Sequence, residues 1–460
     1  MRRKPLIAKI AAAAAVSLAA PAFAETYTDA SGIEWTYTVL DSTAHTVVLG
    51  APDTSSETAA VASTAQFAAT DIPWTFTDND VDYTVVSIGR GAFKNCNKSG
   101  CLTGTLIFPD SVTNIGQTAF CYCSNITEIA FNSNIKSIGA NAFGNDSNNQ
   151  GCVNAKIVDG DLSGCTSIGS KAFSSVGRAY ISSGQTEPVL IDLSSLSSLT
   201  GNAFLGCKIW MDVKFSHAIT STGTKIFYNA SVTNFFMPGP QVVSSGTQTY
   251  ATFSRSEPFN YARSPHVFLG PTVKPSSGSS GNATKIFQNS VSPKLYAPYE
   301  FWSNITYGGQ TPTTVLYGPG QAIDFAIDDD VTTLTATPTT EAALVDILEE
   351  APVFKKHFNI DTKICVTNAI ELSATPLVTK ALIENASVTF DSLTFAVKTQ
   401  TELDYVLDAV PESVTLVLDP TGATETLTVP LEETTRKVYM LLPPGASYER
   451  KKNGFIIIFK

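Results

Sequence analysis

Charged and histidine side chains are scarce in this chain of 460 residues. Only 15% of the residues are charged and four are histidines, whereas about a quarter of an average soluble chain is charged. Serine, threonine, asparagine and glycine take their place, a composition that is common in secreted β-rich proteins. The hydrophobic fraction of 43% rules out intrinsic disorder as the overall state and allows for two or three domains.

Positive charge is also in the minority. The formal net charge is −11, and four of the basic residues, Arg2, Arg3, Lys4 and Lys9, lie in the first few residues of the chain. Their removal would leave the mature chain more acidic still. Because a polyanion such as DNA is repelled by this balance of charge, we expect no nucleic-acid partner.

Long apolar runs are missing except near the N-terminus. Residues 10–20 are apolar, and Ala22 and Ala24 place small side chains at alternate positions. This pattern predicts a signal peptide over residues 1–24, cleaved before Glu25. No later run reaches the ~18 apolar residues that a spanning helix needs, so we expect no membrane span. The sequence therefore predicts a secreted or cell-surface protein.

Motifs for catalysis and cofactor binding are absent from the sequence. His45, His217, His266 and His357 are isolated, and no H-E-x-x-H, G-x-S-x-G, C-x-x-C or phosphate-loop pattern occurs. We therefore predict a non-enzymatic protein, with no catalytic, cofactor-binding or metal-binding residues. An enzyme housed in residues 321–460 is the least favoured alternative.

Two acidic runs invite comparison with metal sites. Asp78, Asp80 and Asp82 alternate as in a calcium loop, but Tyr83 stands where that loop needs glycine, and no acid closes it. The aspartates at 328–330 are more typical of a turn. We interpret both runs as solvated loop charge.

One six-residue phrase, Ile-Gly-x-x-Ala-Phe, recurs along the chain. The copies up to Phe227 follow one another at spacings of 23 to 31 residues, which is the period of a solenoid with loops of variable length. The copies are residues 88–93, 115–120, 138–143 and 168–173, then 199–204 with the glycine moved one place, and two eroded copies around Phe227 and Phe287.

Each repeat predicts a short strand, a turn and a compact corner, because a short apolar run precedes most copies. The glycine suits a positive φ, the alanine lets coils approach, and the phenylalanine fills the space between them. Burying about four large side chains contributes on the order of 6–12 kcal/mol, whereas ordering about 25 residues costs roughly 25–50 kcal/mol. One repeat cannot fold alone, so the copies must stack.

The repeat resembles the leucine-rich repeats of the BspA type. Residues 111–123 closely follow the pattern Val-Thr-x-Ile-Gly-x-x-Ala-Phe-x-x-Cys, and residues 85–96 also fit it. The resemblance is strong over about 85–207 and fades towards 318, where the Ile-Gly start and the cysteine are lost. It implies a parallel-strand solenoid in a secreted or surface protein, used for binding or adhesion and without a shared catalytic centre.

The repeat also explains where most of the eight cysteines fall. Cys96, Cys123 and Cys207 each lie three residues after the repeated phenylalanine. One interpretation is that they are small buried side chains. The other is that Cys96 and Cys123 form a disulfide between adjacent coils. Cys165 aligns with core positions of other copies. The remaining repeat cysteines lie outside these positions and are better candidates for bridges: Cys101, Cys121 and Cys152.

The sequence changes character on both sides of the repeat. Residues 25–84 alternate apolar and polar side chains and predict an N-terminal β-rich cap, and residues 85–320 form the solenoid. Residues 321–460 predict a small α/β or α+β domain. Its expected helices are residues 340–351, ended by Pro352, residues 376–385, and residues 401–410, ended by Pro411.

The fold class is therefore a β-rich, leucine-rich-repeat-like solenoid with a C-terminal α/β or α+β domain. Its function is predicted to be binding of an extracellular protein or glycan ligand, with adhesion as one use, and the alternative is a structural spacer for the C-terminal domain. Ligand-binding residues are not assigned. Candidate contacts that could equally pack inside the protein are Trp210, Tyr228, Trp302 and Tyr307, and residues 144–150 form an inserted polar loop.

Overall fold

The structure is a computed structural model that describes residues 24–53, 56–144, 151–180, 187–243, 245–262, 265–277, 285–307, 310–430, 438–441, 446–451 and 454–459. Strands of a repeating coil dominate it, and a region of mixed helices and strands follows. The predicted fold class is confirmed. The predicted signal peptide lies outside the described residues except for Ala24.

An antiparallel hairpin opens the described chain and leads into the solenoid. Strand β2 pairs with β1 on one side and β3 on the other, and β3 pairs in parallel with β5, the first strand of the repeating coil. These strands are β1 (Ala24–Thr28), β2 (Glu34–Asp41), β3 (Thr46–Leu49), β4 (Thr75–Asp78) and β5 (Val81–Ile88).

Nine described strands form one wall of the coil, which we call the first wall. They pair in parallel, as two sheets of orders β10-β8-β6 and β12-β14-β16-β18-β20-β21. The strands are β6 (Gly104–Ile107), β8 (Ile126–Ala130), β10 (Lys156–Asp159), β12 (Val189–Leu193), β14 (Trp210–Phe215), β16 (Ser231–Met237), β18 (His266–Leu269), β20 (Lys294–Pro298) and β21 (Thr313–Tyr317).

Shorter strands continue from β5 and form a second wall. The isoleucines that start the repeated phrase lie in register, so that Ile88, Ile115, Ile138 and Ile168 oppose one another in turn. These strands are β7 (Asn114–Ile115), β9 (Ser137–Ile138), β11 (Ser167–Ile168), β13 (Ser198–Leu199), β15 (Ser221–Thr222), β17 (Ala251–Phe253) and β19 (Val273–Pro275).

The repeated phenylalanines stack in one column through the core. Neighbouring ring centroids are 4.7 to 5.8 Å apart, and the rings are parallel to within 27°. Phe259, which the sequence did not assign to a copy, stacks between Phe227 and Phe287. Because each ring contacts the rings above and below it, the core is continuous along the solenoid. The column comprises Phe93, Phe120, Phe143, Phe173, Phe204, Phe227, Phe259 and Phe287.

The repeated glycine does not have the positive φ that we expected. Gly116, Gly139 and Gly169 have ordinary φ values, and the positive φ belongs to the residue two positions later, as in Thr118 (56°) and Asn141 (55°). The glycine is needed for close approach instead. A Cβ on Gly139 would lie 2.4 Å from the Gln117 amide nitrogen of the preceding coil.

We expect Gly139→Ala to destabilise the protein by roughly 1–3 kcal/mol, because the added methyl group would force two coils apart. Gly201→Ala is the matched control. Its Cβ would meet the nearest atom, Thr224 O, at 3.0 Å, and a much smaller loss is expected. Guanidinium unfolding of both variants measures the difference, and equal losses would contradict this role of Gly139.

Three further sheets and three helices occur in the described part of residues 321–460. The sheets have orders β22-β23-β24-β26, β25-β27-β28-β30 and β29-β32-β31. Their strands are β22 (Ile323–Ile327), β23 (Thr333–Pro338), β24 (Asp361–Ile364), β25 (Ile370–Glu371), β26 (Thr389–Phe390), β27 (Leu393–Ala396), β28 (Leu416–Asp419), β29 (Leu427–Pro430), β30 (Val438–Met440), β31 (Ala446–Lys451) and β32 (Gly454–Phe459). The helices are α2 (Glu341–Phe358), α3 (Lys380–Asn385) and α4 (Gln400–Ala409), while the short α1 (Tyr299–Trp302) belongs to the solenoid.

The longest helix, α2, does not end where we predicted. It starts as expected, since the Thr340 hydroxyl accepts the Ala343 N–H at 3.2 Å, but it continues through Pro352 to Phe358. A proline inside a helix costs about 3 kcal/mol. Burial of Phe354 and Phe358 beyond it offsets that cost, because each large apolar side chain contributes about 1.5–3 kcal/mol.

All eight cysteines lie in the described residues, and all are thiols without a disulfide. Cys96, Cys123 and Cys207 are buried in the corner of the coil. This agrees with the interpretation of these cysteines as small buried side chains and not with a bridge between Cys96 and Cys123. Cys165 is also buried, and removal from water raises the pKa of its thiol to about 11.

Cys101, Cys121 and Cys152, the better candidates for a bridge, are buried thiols that form no disulfide. The chain after each repeated phenylalanine folds back over the corner. The Cys152 N–H, for example, donates to Phe143 O at 2.9 Å. Sequence spacing missed this because the turns differ in length from copy to copy.

Candidate binding surface

The outward side of the first wall is the obvious place for a ligand, but residues 321–460 cover much of it. Outward-facing aromatic rings on β16, β18 and β20 pack against α2 and β22. The Phe236 ring lies 5.5 Å from Phe358, and the Phe268 ring lies 5.4 Å from Phe325 and 5.7 Å from Phe354. A second apolar core therefore joins the solenoid to the C-terminal region.

A half-buried group of charges lies beside this apolar contact. Lys294 Nζ on β20 is 2.9 Å from Asp346 Oδ1 and 2.6 Å from Glu350 Oε1 on α2. Tyr296 OH donates to Asp346 at 2.9 Å. Burial raises the pKa of Glu350, but its contacts with His266 and Lys294 outweigh this effect and leave the pKa below its usual value.

Histidines that are isolated in the sequence take part in the same contact. His357 Nδ1 on α2 lies 2.6 Å from the buried Asp212 carboxylate on β14. His217 Nε2 lies 3.0 Å from Asp328 O, in the turn after β22. Sequence reasoning missed these pairs because their members are 145 and 111 residues apart.

The first part of the first wall is open, and we call its outward residues on β6, β8 and β10 the open surface. One row across the strands is polar, with Glu128 Oε1 2.7 Å from Lys156 Nζ and Glu128 Oε2 accepting the Thr105 hydroxyl at 2.8 Å. Beside it lie Ile107, 57% exposed, and Val158, 45% exposed. Ile107 on β6 and Val158 on β10 flank the middle strand β8, and a surface that combines exposed apolar side chains with a polar row suits a protein contact.

The predicted aromatic contacts do not form a common site. Trp302 is buried, and its indole Nε1–H donates to Val273 O at 2.9 Å. Tyr307 is half-buried and packs near Phe287. Trp210 and Tyr228 are half-buried on different elements. The loop predicted to carry specificity, residues 144–150, lies outside the described residues except for Gly144.

The acidic residues of the first run lie around one turn: Asp78 ends β4, Asp80 lies in the β4–β5 turn and Asp82 lies near the start of β5. Asp78 accepts the Tyr37 hydroxyl at 2.7 Å, and Asp82 accepts the Thr77 hydroxyl at 2.6 Å, on either side of the β4–β5 turn. Asp328 accepts the backbone N–H groups of the turn into β23. Within the described ranges, no group of three or more histidine, cysteine or acidic side chains is arranged to hold a metal ion.

A cavity of about 550 Å³ lies at the edge between the solenoid and the C-terminal region. Tyr250 and Tyr299 line it together with Gln248 and the carboxylates of Glu300 and Asp324. The lining thus combines two tyrosine rings with amide and acidic side chains.

Comparison with known proteins identifies the repeat. Residues 74–187 and 178–265 match the model of the BspA type leucine rich repeat region, with six copies. This match confirms the resemblance to BspA-type leucine-rich repeats over these residues. No curated protein matches the chain. No helix among the described residues is both long and apolar enough to span a membrane.

Two solved structures are similar to the chain. One is a leucine-rich repeat protein from Bacteroides ovatus, 17% identical, with 78% of this chain and 97% of that chain covered and a TM-score of 0.24. The other is the pneumococcal vaccine antigen PcpA, 12% identical, with 86% and 98% covered and a TM-score of 0.24.

Proposed function

We propose that this chain is a secreted or cell-surface binding protein without enzymatic activity, and that its ligand is an extracellular protein. A glycan ligand and a purely structural spacer are the alternatives. The proposal includes a signal peptide over 1–24, a cap over 25–84, a solenoid over 85–320 and a C-terminal domain over 321–460. The match of residues 74–265 to a repeat family found in secreted and surface proteins supports it.

The open surface is the observation that carries the proposal. Ile107 and Val158 are exposed on strands whose other faces are buried, and Glu128, Lys156 and Thr105 form a fixed polar row beside them. A protein interface combines apolar contacts with a few charged and polar ones in this manner. The covered part of the first wall is unavailable, so the ligand is expected to bind the first coils.

Two substitutions on the open surface test the proposal. The mature chain is screened for binding to immobilised extracellular-matrix proteins and to a glycan array. The affinity of a double variant, Ile107→Asp with Val158→Asp, is then compared with that of wild type. We expect a protein ligand whose affinity falls at least tenfold, because two charges would enter an apolar contact. Unfolding should change little, since both side chains are exposed.

Leu377→Asp is the matched control, because Leu377 is an apolar side chain of similar exposure (48%) in the C-terminal region. It should leave binding unchanged. A glycan hit in place of a protein would select the glycan alternative. If no ligand is found, or if the double variant binds as wild type does, the open surface is not the binding site and the spacer alternative is favoured.

A further inference from the structure

A groove follows the boundary between the last coils of the solenoid and the C-terminal region. It consists of the cavity of about 550 Å³ that Tyr299 lines and a second cavity of about 350 Å³ that His217 lines. Four residues line both cavities and make them continuous: Val242, Pro271, Pro319 and Asp324. The groove is therefore longer than either cavity, and its length suits an extended peptide segment.

The walls of the groove are rigid. The loop after Pro240 is held in place because the Thr272 hydroxyl donates to Pro240 O at 2.5 Å. The Gln248 side-chain amide closes the same loop, since it donates to Gln241 O at 3.0 Å and accepts the Val243 N–H at 2.9 Å. A preformed groove spends little of its binding free energy on ordering itself. Prolines, whose rings fix the backbone φ, line the rest of the walls: Pro238, Pro240, Pro271, Pro298 and Pro319.

Large apolar side chains are exposed along the groove. Val242 is 67% exposed, Tyr250 38% and Tyr299 46%. The Phe301 ring meets the Tyr250 ring edge-on at 5.4 Å and holds it in position. Lys274 Nζ lies 4.8 Å from the centroid of the Tyr250 ring, so this ring already attracts a cation of the chain itself. Exposed apolar side chains that are collected in one groove mark a contact site.

The charges that line the groove are acidic. Glu300 lines the first cavity, Asp329 lines the second and Asp324 lines both. The described residues that line the groove include no lysine or arginine, and both ring nitrogens of His217 face backbone carbonyl oxygens. Within the described part of the chain, none of the three acids forms an ion pair. A ligand that complements this groove therefore carries positive charge.

We propose that this groove binds an extended segment of a partner protein that carries arginine or lysine among apolar residues. The aliphatic part of such a basic side chain packs along the tyrosine rings, and its charged end reaches the carboxylates. A neutral segment would leave these carboxylates unpaired, and an acidic segment would be repelled. The groove and the open surface are lined by different residues, so this inference goes beyond the proposed function and does not depend on it.

A peptide array tests the inference. The full chain is applied to short immobilised peptides that share leucine and proline residues and differ at the other positions, which are arginine, lysine, glutamine or glutamate. We expect binding to the basic peptides, with an affinity at least about tenfold above that of their glutamine counterparts. Glu300→Gln with Asp324→Asn should lower the affinity for the basic peptides about tenfold, because two charge-assisted contacts are lost. Tyr299→Ala should also weaken binding, since it removes an exposed aromatic contact.

Glu384→Gln with Asp408→Asn is the matched control, because it removes the same charge from exposed acids on α3 and α4. It should bind the basic peptides as wild type does, and so should the open-surface variant, Ile107→Asp with Val158→Asp. The latter result separates this inference from the proposed function. Equal losses in the two acid variants would show a general attraction to an acidic chain and overturn the proposal. Failure of the basic peptides to bind better than the glutamine peptides, or loss of a glycan ligand in the groove variant alone, would also overturn it.

Discussion

Replacing Phe143 with alanine is expected to destabilise the solenoid by roughly 3–5 kcal/mol. Phe143 is fully buried, and its ring stacks between Phe120 at 5.3 Å and Phe173 at 5.6 Å. It also meets Phe131 edge-on at 5.5 Å. The substitution would leave a cavity in the middle of the column, and two coils would lose contact at once, since coils are stabilised by their neighbours. Guanidinium unfolding followed by circular dichroism measures the loss.

Phe143→Leu serves as the control because it keeps an apolar side chain of nearly the same volume in the column. A clearly smaller loss is expected, since little cavity remains. If Phe143→Ala were to cost less than about 1 kcal/mol, which is the average for any point substitution, the column would not be the main source of stability in these coils.

The second large effect is expected from Lys294→Met. Lys294 neutralises Asp346 and Glu350, and the Glu350 side chain is 9% exposed. Removing the ammonium group would leave two acids facing each other at a half-buried contact, and such a loss typically costs about 2–5 kcal/mol. We expect α2 to detach from β20, which limited proteolysis of the variant would detect as faster cleavage in residues 321–460.

Lys356→Met is the matched control, because Lys356 also makes an ion pair across this contact, with Glu187 at 2.8 Å. Both side chains of that pair are about 60% exposed, so the expected loss is at most about 1 kcal/mol.

The pH dependence should also separate the two variants. The pKa of Glu350 is lowered in the folded state, so its stabilising contribution is present above the ordinary glutamate pKa and is lost as pH falls through the lowered one. In Lys294→Met the Glu350 carboxylate loses one of the contacts that lower its pKa and takes up a proton more readily, so the loss of stability relative to wild type should narrow towards pH 4. An equal deficit at pH 7 and pH 4 would contradict the electrostatic explanation.

The repeat was predictable because each coil obeys the same local rule. An isoleucine, a glycine two positions before its positive-φ residue, and a phenylalanine recur wherever the stack needs them, as in residues 115–120. The copy at Phe259 was missed because Ser254 stands where the isoleucine of the phrase would be, and Pro258 stands where its alanine would be. In this copy only the phenylalanine of the six-residue motif is kept. A single phenylalanine without the rest of the motif cannot be recognised as a repeat from the sequence.

The cover over the first wall was not predictable from the sequence. From the sequence, Phe236 and Phe268 are ordinary strand residues, and Pro352 predicts the end of a helix. Their actual roles in the contact depend on parts of the chain that are more than a hundred residues apart, as are His357 and Asp212. Pairing over such distances is decided by shape and charge in three dimensions, for which local periodicity contains no signal.

By itself, the sequence determined that this protein is a stack of β-strand coils with a differently built C-terminal region, because a coil that cannot fold alone must carry the pattern that lets it stack. Only the tertiary structure decided which coils remain open to a ligand and why the repeated glycine is required. Both depend on the distance between backbones of different coils, and that distance exists only once the coils have assembled.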